Sequence, residues 1–197
     1  MSNSASRKQA TAMRHDQIRA KAPAIERSDE PPKFVADVMV GRLAKWLRIA
    51  GFDVSYSNRI TDDEVVALSR DQGRIILSRD TRLLVRRAVR DFIYLESDDI
   101  RSQIQQVFAA TRTTSLPGLL SRCLDCNEPL VTVPRDEVRE WVPPFVFATQ
   151  PKFKSCPDCR KVYWAGTHRQ AVLRTLESLF AHLHDSGCNG NVEPRGG

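Results

Sequence analysis

A chain of 197 residues with 41% hydrophobic content can bury one medium core, or one core and a small satellite. Its 30 Lys and Arg against 24 Asp and Glu give a net charge of +6 and a pI near 9.3, a balance that favours polyanions such as nucleic acid. No apolar run reaches the roughly 18 residues of a membrane-spanning helix, and the opening stretch lacks the apolar segment of a secretory signal.

Residues 1–32 read as a disordered basic tail closed by EPP. A regular alternation follows. KFVAD (33–37) is a strand, and residues 38–50 a helix with Val40, Leu43, Trp46, Leu47 and Ala50 on one stripe, stopped by Gly51. DVSY (53–56) is a strand, and residues 62–72 a helix closed by Gly73. RIILS (74–78) is a strand, TRLLVRRAVR (81–90) a helix, FIYLE (92–96) a strand and residues 99–111 a helix. This βαβαβαβα run, residues 33–112, predicts an α/β fold with a parallel sheet flanked by helices. Among the topologies that right-handed crossovers leave, a 3-2-1-4 strand order is the expected one.

The texture changes at about residue 112. Residues 113–167 hold two CxxC pairs and three β-like runs, PLVTV, FVFAT and KVYWA. Residues 168–184 predict a last helix with Ala171, Val172, Leu176, Leu179, Phe180 and Leu183 apolar, opened by a capping box of Thr167 and Gln170. Residues 185–197 read as a second disordered tail.

In a parallel sheet the acids of this layout fall at one edge. Asp37 ends the first strand, Asp62 and Asp63 open the helix after the second, Asp80 follows the third, and Asp98 and Asp99 follow the fourth. Open α/β sheets bind ligands at this carboxyl edge. Converging carboxylates repel unless a cation neutralises them, and hard divalent ions such as Mg²⁺ or Mn²⁺ choose oxygen ligands. The pattern points to metal-dependent phosphoryl chemistry. The same acids also fit helix caps: Thr61 with Glu64 makes a capping box around Asp62 and Asp63, Asp80 could cap the next helix, and Asp98 or Asp99 the last.

Basic residues accompany them. Arg42, Lys45 and Arg48 are read on one side of the first helix, opposite its core stripe. Arg82, Arg86 and Arg90 step along the third, with Arg79 and Arg87 nearby. Such faces suit a phosphate backbone, and they are also what an ordinary solvated helix presents.

Cys123-Leu-Asp-Cys126 and Cys156-Pro-Asp-Cys159 stand 29 residues apart. Two such pairs, with no leader to suggest an oxidising compartment, predict a Cys₄ zinc site in a reducing, cytoplasmic setting. Cys188 in the tail and His168 at the helix start are expected to take no part.

The stretches FVADVMVGRLAKWLRIAGFDV, DDEVVALSRDQGRIILSRD, WVPPFVF and CPDCRKVYWAGTH together resemble the Mut-seven-C family of RNases. The resemblance spans about residues 33–170. It implies a PIN-like nuclease domain with a zinc ribbon, in which Asp37, Asp62 (or Asp63), Asp80 and Asp98 (or Asp99) hold Mg²⁺ or Mn²⁺ for hydrolysis of RNA. It also implies that Cys123, Cys126, Cys156 and Cys159 bind zinc. RNA is the expected partner. Two rivals remain: a non-catalytic zinc-ribbon RNA-binding protein, and a receiver-like phosphoacceptor, whose expected lysine after the last strand FIYLESDD lacks.

Overall fold

A computed structural model describes residues 13, 15–25, 30–166, 171–176 and 178–179. The chain divides into two compact units, Met1–Val131 with Ser155–Lys161, and Thr132–Lys154 with Val162–Gly197. Both cysteine pairs fall in the first unit.

The first unit runs α1 (15–21), β1 (Phe34–Ala36), a 3₁₀ turn (Val38–Val40), α2 (Gly41–Ala50), β2 (Val54–Ser55), α3 (Asp62–Gln72), β3 (Ile75–Ser78), α4 (Thr81–Leu84), β4 (Phe92–Tyr94) and α5 (Ile100–Ala110). Every pairing in its sheet is parallel, and the order is β2-β1-β3-β4, which corrects the expected 3-2-1-4. Phe34, Val35 and Ala36 are each fully buried, so β1 belongs inside the sheet, covered on both faces. Two-residue β2, half-buried at Ser55, takes the edge. From β1 the chain crosses to β2 on one side and returns to β3 on the other. The carboxyl ends of β1 and β3 therefore flank a topological switch point, where such sheets open a ligand crevice.

Alternation along the strands feeds two cores. Val35 and Ile76 pack with Val65 of α3, Leu83 and Leu84 of α4, and Ile18 of α1. On β1, Phe34 alternates with Val35 and makes edge contact with Phe52, which packs on Phe108 of α5. The caps of α3 match its sequence: Thr61 and Glu64 form the capping box, and Gly73 closes the helix at φ 61°.

Helix α1 lies within the stretch whose composition reads as a tail. Ile18 anchors it, 1% exposed, a burial worth roughly 1.5–3 kcal/mol. The His15 ring meets the Tyr94 hydroxyl at 3.2 Å. Lys21 Nζ donates to the Leu84 and Arg86 carbonyls at 2.8 and 2.6 Å. That contact marks a second correction: the helix expected over 81–90 ends at Leu84. Lys21 donates to carbonyls that would accept backbone N–H groups in a longer helix, and β-branched Val85 and Val89 favour helix weakly. Arg82, Arg86 and Arg90 thus share no helical face.

The second unit holds most of a three-stranded sheet, β5 (Val131–Val133), β6 (Phe153–Ser155) and β7 (Val162–Trp164), in that order, with α6 (Pro144–Thr149). Val138, Val142 and Phe153 form its core, with Val133, Val146, Phe147 and Val162 against them. FVFAT, expected as a strand, lies in α6. Pro144 at its first position has φ preset for a helix and needs no donor there, which overrides the β preference of Phe and Val. Residues 171–176 and 178–179 are helical, with Leu176 and Leu179 buried. The Thr167–Gln170 box, His168 and Cys188 lie outside the described residues. No helix among the described residues is long and apolar enough to cross a membrane.

Candidate functional site

The register of β1 on β3 builds the acid end. Ala36 pairs with Leu77, and the Asp37 N–H extends the ladder by donating to the Leu77 carbonyl at 3.0 Å. One step on, Asp37 faces Ser78. The Ser78 hydroxyl, fully buried, donates to Asp37 Oδ2 at 2.7 Å and accepts the Asp80 N–H at 2.8 Å. One serine thus ties together the acids that end β1 and follow β3. Asp37 is 5% exposed, and among the described residues it forms no ion pair. A buried carboxylate with a hydroxyl donor and no cation is costly. Asp80 is half-buried. It caps α4 by accepting the Arg82 N–H at 2.8 Å, and the Arg82 guanidinium stays 3.9 Å away.

The other acids stand at the same edge with different engagements. Arg86 donates to Asp62 Oδ2 at 2.9 Å and to Asp63 Oδ1 at 2.7 Å. Asp63 is 92% exposed and Asp62 42%. Asp99 caps α5, accepting from the Ser102 N–H at 2.9 Å, which holds its carboxyl below the usual range. Asp98 is exposed. Hydrogen bonding through one side chain links Asp37 to Asp80 and, separately, Asp62 to Asp63.

The basic residues also separate. Arg42 and Lys45 are exposed on α2. Arg48, expected beside them on the solvated face, is instead 2% exposed. Its Nε and Nη2 donate to the Val54 carbonyl at 3.0 and 2.8 Å, and its Nη1 to the Leu124 and Asp125 carbonyls at 2.8 and 2.9 Å. Arg48 is therefore a bracket between α2, the β2 edge and the first cysteine turn. Arg79 is half-buried and Arg82 exposed.

The two cysteine turns repeat one design. In the first, the Asn127 N–H reaches the Cys123 carbonyl at 3.0 Å, and in the second the Arg160 N–H reaches the Cys156 carbonyl at 3.0 Å. Asn127 and Arg160 both take the left-handed conformation, at φ 71° and 59°. The four thiols lie within 4.8 Å of one another, and among the described residues they are the group of His, Cys, Asp and Glu that could hold an ion. Four sulfurs around a tetrahedral ion at about 2.3 Å stand about 3.8 Å apart; Cys123 and Cys159 are at 3.6 Å. The donor set fits such an ion. Asp158, then Cys159, pushes the Cys126 thiol up, and burial pushes Cys156 up, so a metal must displace protons here. Lys161 of the second turn donates to Asp125 of the first at 2.7 Å.

Sequence reasoning missed the residues that fasten this centre to the sheet. Asn127 accepts the Val54 N–H at 3.0 Å, covering the open edge of β2, and donates to Asp53 Oδ1 at 2.8 Å. Arg74 reaches the same carboxylate at 2.6 Å. Burial alone would raise the Asp53 carboxyl; the Arg74 and Asn127 hydrogen bonds outweigh it and hold the group below its ordinary value. The signal for Asn127 was a residue tolerant of the left-handed conformation just after a CxxC pair.

The fold is a parallel α/β sheet with a buried acid at its switch point, flanked by four thiols that could hold a metal ion. The Mut7-C RNAse domain model matches residues 32–176, most of the chain, and the chain belongs to that family. No curated protein and no solved structure matches it.

Proposed function

We propose that this chain is a metal-dependent ribonuclease of PIN-like type that hydrolyses RNA phosphodiester bonds at the carboxyl edge of its sheet. The observation that carries the reading is Asp37: a carboxylate 5% exposed, hydrogen-bonded to Ser78, with no ion pair among the described residues, at the switch point of a parallel sheet. Membership of an RNase domain family supports RNA as the substrate.

A bound Mg²⁺ or Mn²⁺ would supply charge neutralisation and an activated water. Asp37 and Asp80 are the proposed ligands, with Ser78 fixing the first carboxylate and the backbone of the second. Asp62, oriented by Arg86, and Asp98 are proposed to complete the acidic edge. Asp63 and Asp99 contribute charge from positions already used by Arg86 and the α5 cap. The four cysteines are proposed to hold a structural zinc, in keeping with their all-sulfur donor set and with a reducing, cytoplasmic setting.

The test is incubation of purified protein with end-labelled single-stranded RNA, with and without added Mn²⁺. Ion-dependent shortening of the RNA is expected. RNA binding indifferent to Mn²⁺, with no cleavage at any ion concentration, would instead support a non-catalytic zinc-ribbon RNA-binding protein.

A further inference from the structure

Beside the first cysteine turn lies a groove of ≈ 790 Å³. Met39, two residues beyond Asp37 in the chain, and Asp125 of the cysteine turn both line it. Arg42 and Lys45 of α2 and Tyr56 and Asn58 beyond β2 line it too. All belong to the first unit.

The lining has the composition of a strand-binding channel. Arg42 and Lys45 are exposed and form no ion pair among the described residues. The groove's carboxylate, Asp125, is already matched by Lys161 at 2.7 Å. The net field in the groove is therefore positive. Tyr56 is half-buried, and its phenol rests directly on Gly41: a Cβ at that position would overlap the ring and hydroxyl. Glycine lets the ring lie low against α2 as part of the lining. Met39, 59% exposed, adds an apolar surface beside it. Cations spaced along a groove, with an aromatic ring in its lining, suit phosphates and unstacked bases together. A duplex offers phosphates alone and gives Tyr56 nothing to stack on.

We propose that this groove seats a single RNA strand beside the first cysteine turn, with Arg42 and Lys45 on its phosphates and Tyr56 against a base. The proposal rests on the RNA reading above and assigns a surface that holds the strand near Asp37, two residues before Met39 in the chain.

Fluorescence anisotropy with a short labelled single-stranded RNA, without added divalent ion, tests it. The pair Arg42→Glu and Lys45→Glu is compared with Arg87→Glu and Arg90→Glu, an exposed basic pair outside the groove. The groove pair is expected to weaken binding about tenfold or more and to flatten the salt dependence of log K by about 1.4, the value for two phosphate contacts on a single strand. The control pair leaves both nearly unchanged. Equal losses from both pairs, or no loss from the groove pair, would overturn the proposal. Binding that follows this pattern in a protein unable to cleave RNA with Mn²⁺ would sink the nuclease reading and keep the groove. Cleavage with groove-independent binding would do the reverse.

Discussion

The Ser78 hydroxyl donates to Asp37 Oδ2 at 2.7 Å, a contact that follows from the Ala36–Leu77 register one step earlier. Ser78 is fully buried, so Ser78→Ala leaves Asp37 without that donor and the Asp80 N–H without its acceptor. The variant is expected to lose about 1–3 kcal/mol of stability and about 10–100-fold in metal affinity or activity. Urea unfolding and Mn²⁺ titration check the two parts.

Asp37 itself makes an opposite prediction about stability. Without a divalent ion, its buried carboxylate is a burden, and Asp37→Asn is expected to stabilise the metal-free fold by about 1 kcal/mol or more. Adding Mn²⁺ should then raise the melting temperature of the native chain and leave that of Asp37→Asn unmoved. Melting curves with and without the ion decide it; a native chain indifferent to Mn²⁺ contradicts the ligand role.

Arg48 is the bracket of the cysteine centre. Arg48→Met removes donors from the carbonyls of Val54, Leu124 and Asp125. The cost is expected at about 3 kcal/mol or more, with faster loss of metal from the four thiols to a chromogenic chelator. Arg42→Met, on the exposed part of the same helix, should alter neither.

Much of this was legible in the sequence, and the failures have physical causes. Asp62–Gln72 was readable because Thr61, Glu64 and Gly73 set both ends locally. Arg48 was misplaced because three-residue steps drift by about 60° each on a helix of 3.6 residues per turn. Two steps from Arg42 carry Arg48 into the buried stripe beside Ala44 and Leu47. The end of α4 depends on Lys21, a residue 63 positions away from Leu84, and the central place of β1 depends on where the chain crosses back. Neither is written in local periodicity. The positions of Asp37 and Asp80 after their strands, and the grouping of the four cysteines, were legible because strand ends and CxxC spacing are local signals.

Asp53 gives the fold an acid-sensitive joint. Its folded-state pKa is depressed below the ordinary 3.8. Its contribution is therefore complete above that value and is lost as pH falls through the lower, folded value. Asp53→Asn is expected to be less stable than the native chain at pH 5, by about 2 kcal/mol, with the gap closing as the pH drops below 3.8. Denaturant midpoints across that range measure it, and a gap that persists unchanged at pH 2.5 contradicts the assignment.

The proposed nuclease activity requires Asp37 and Asp80 to hold a divalent ion. The most direct measurement is the rate at which purified native protein, Asp37→Asn and Asp80→Asn cleave one end-labelled single-stranded RNA in the same Mn²⁺ buffer. Cleavage by the native chain is expected, with a loss of about 10³-fold or more in each variant and all three folded by circular dichroism. Undiminished cleavage by either folded variant would contradict that requirement.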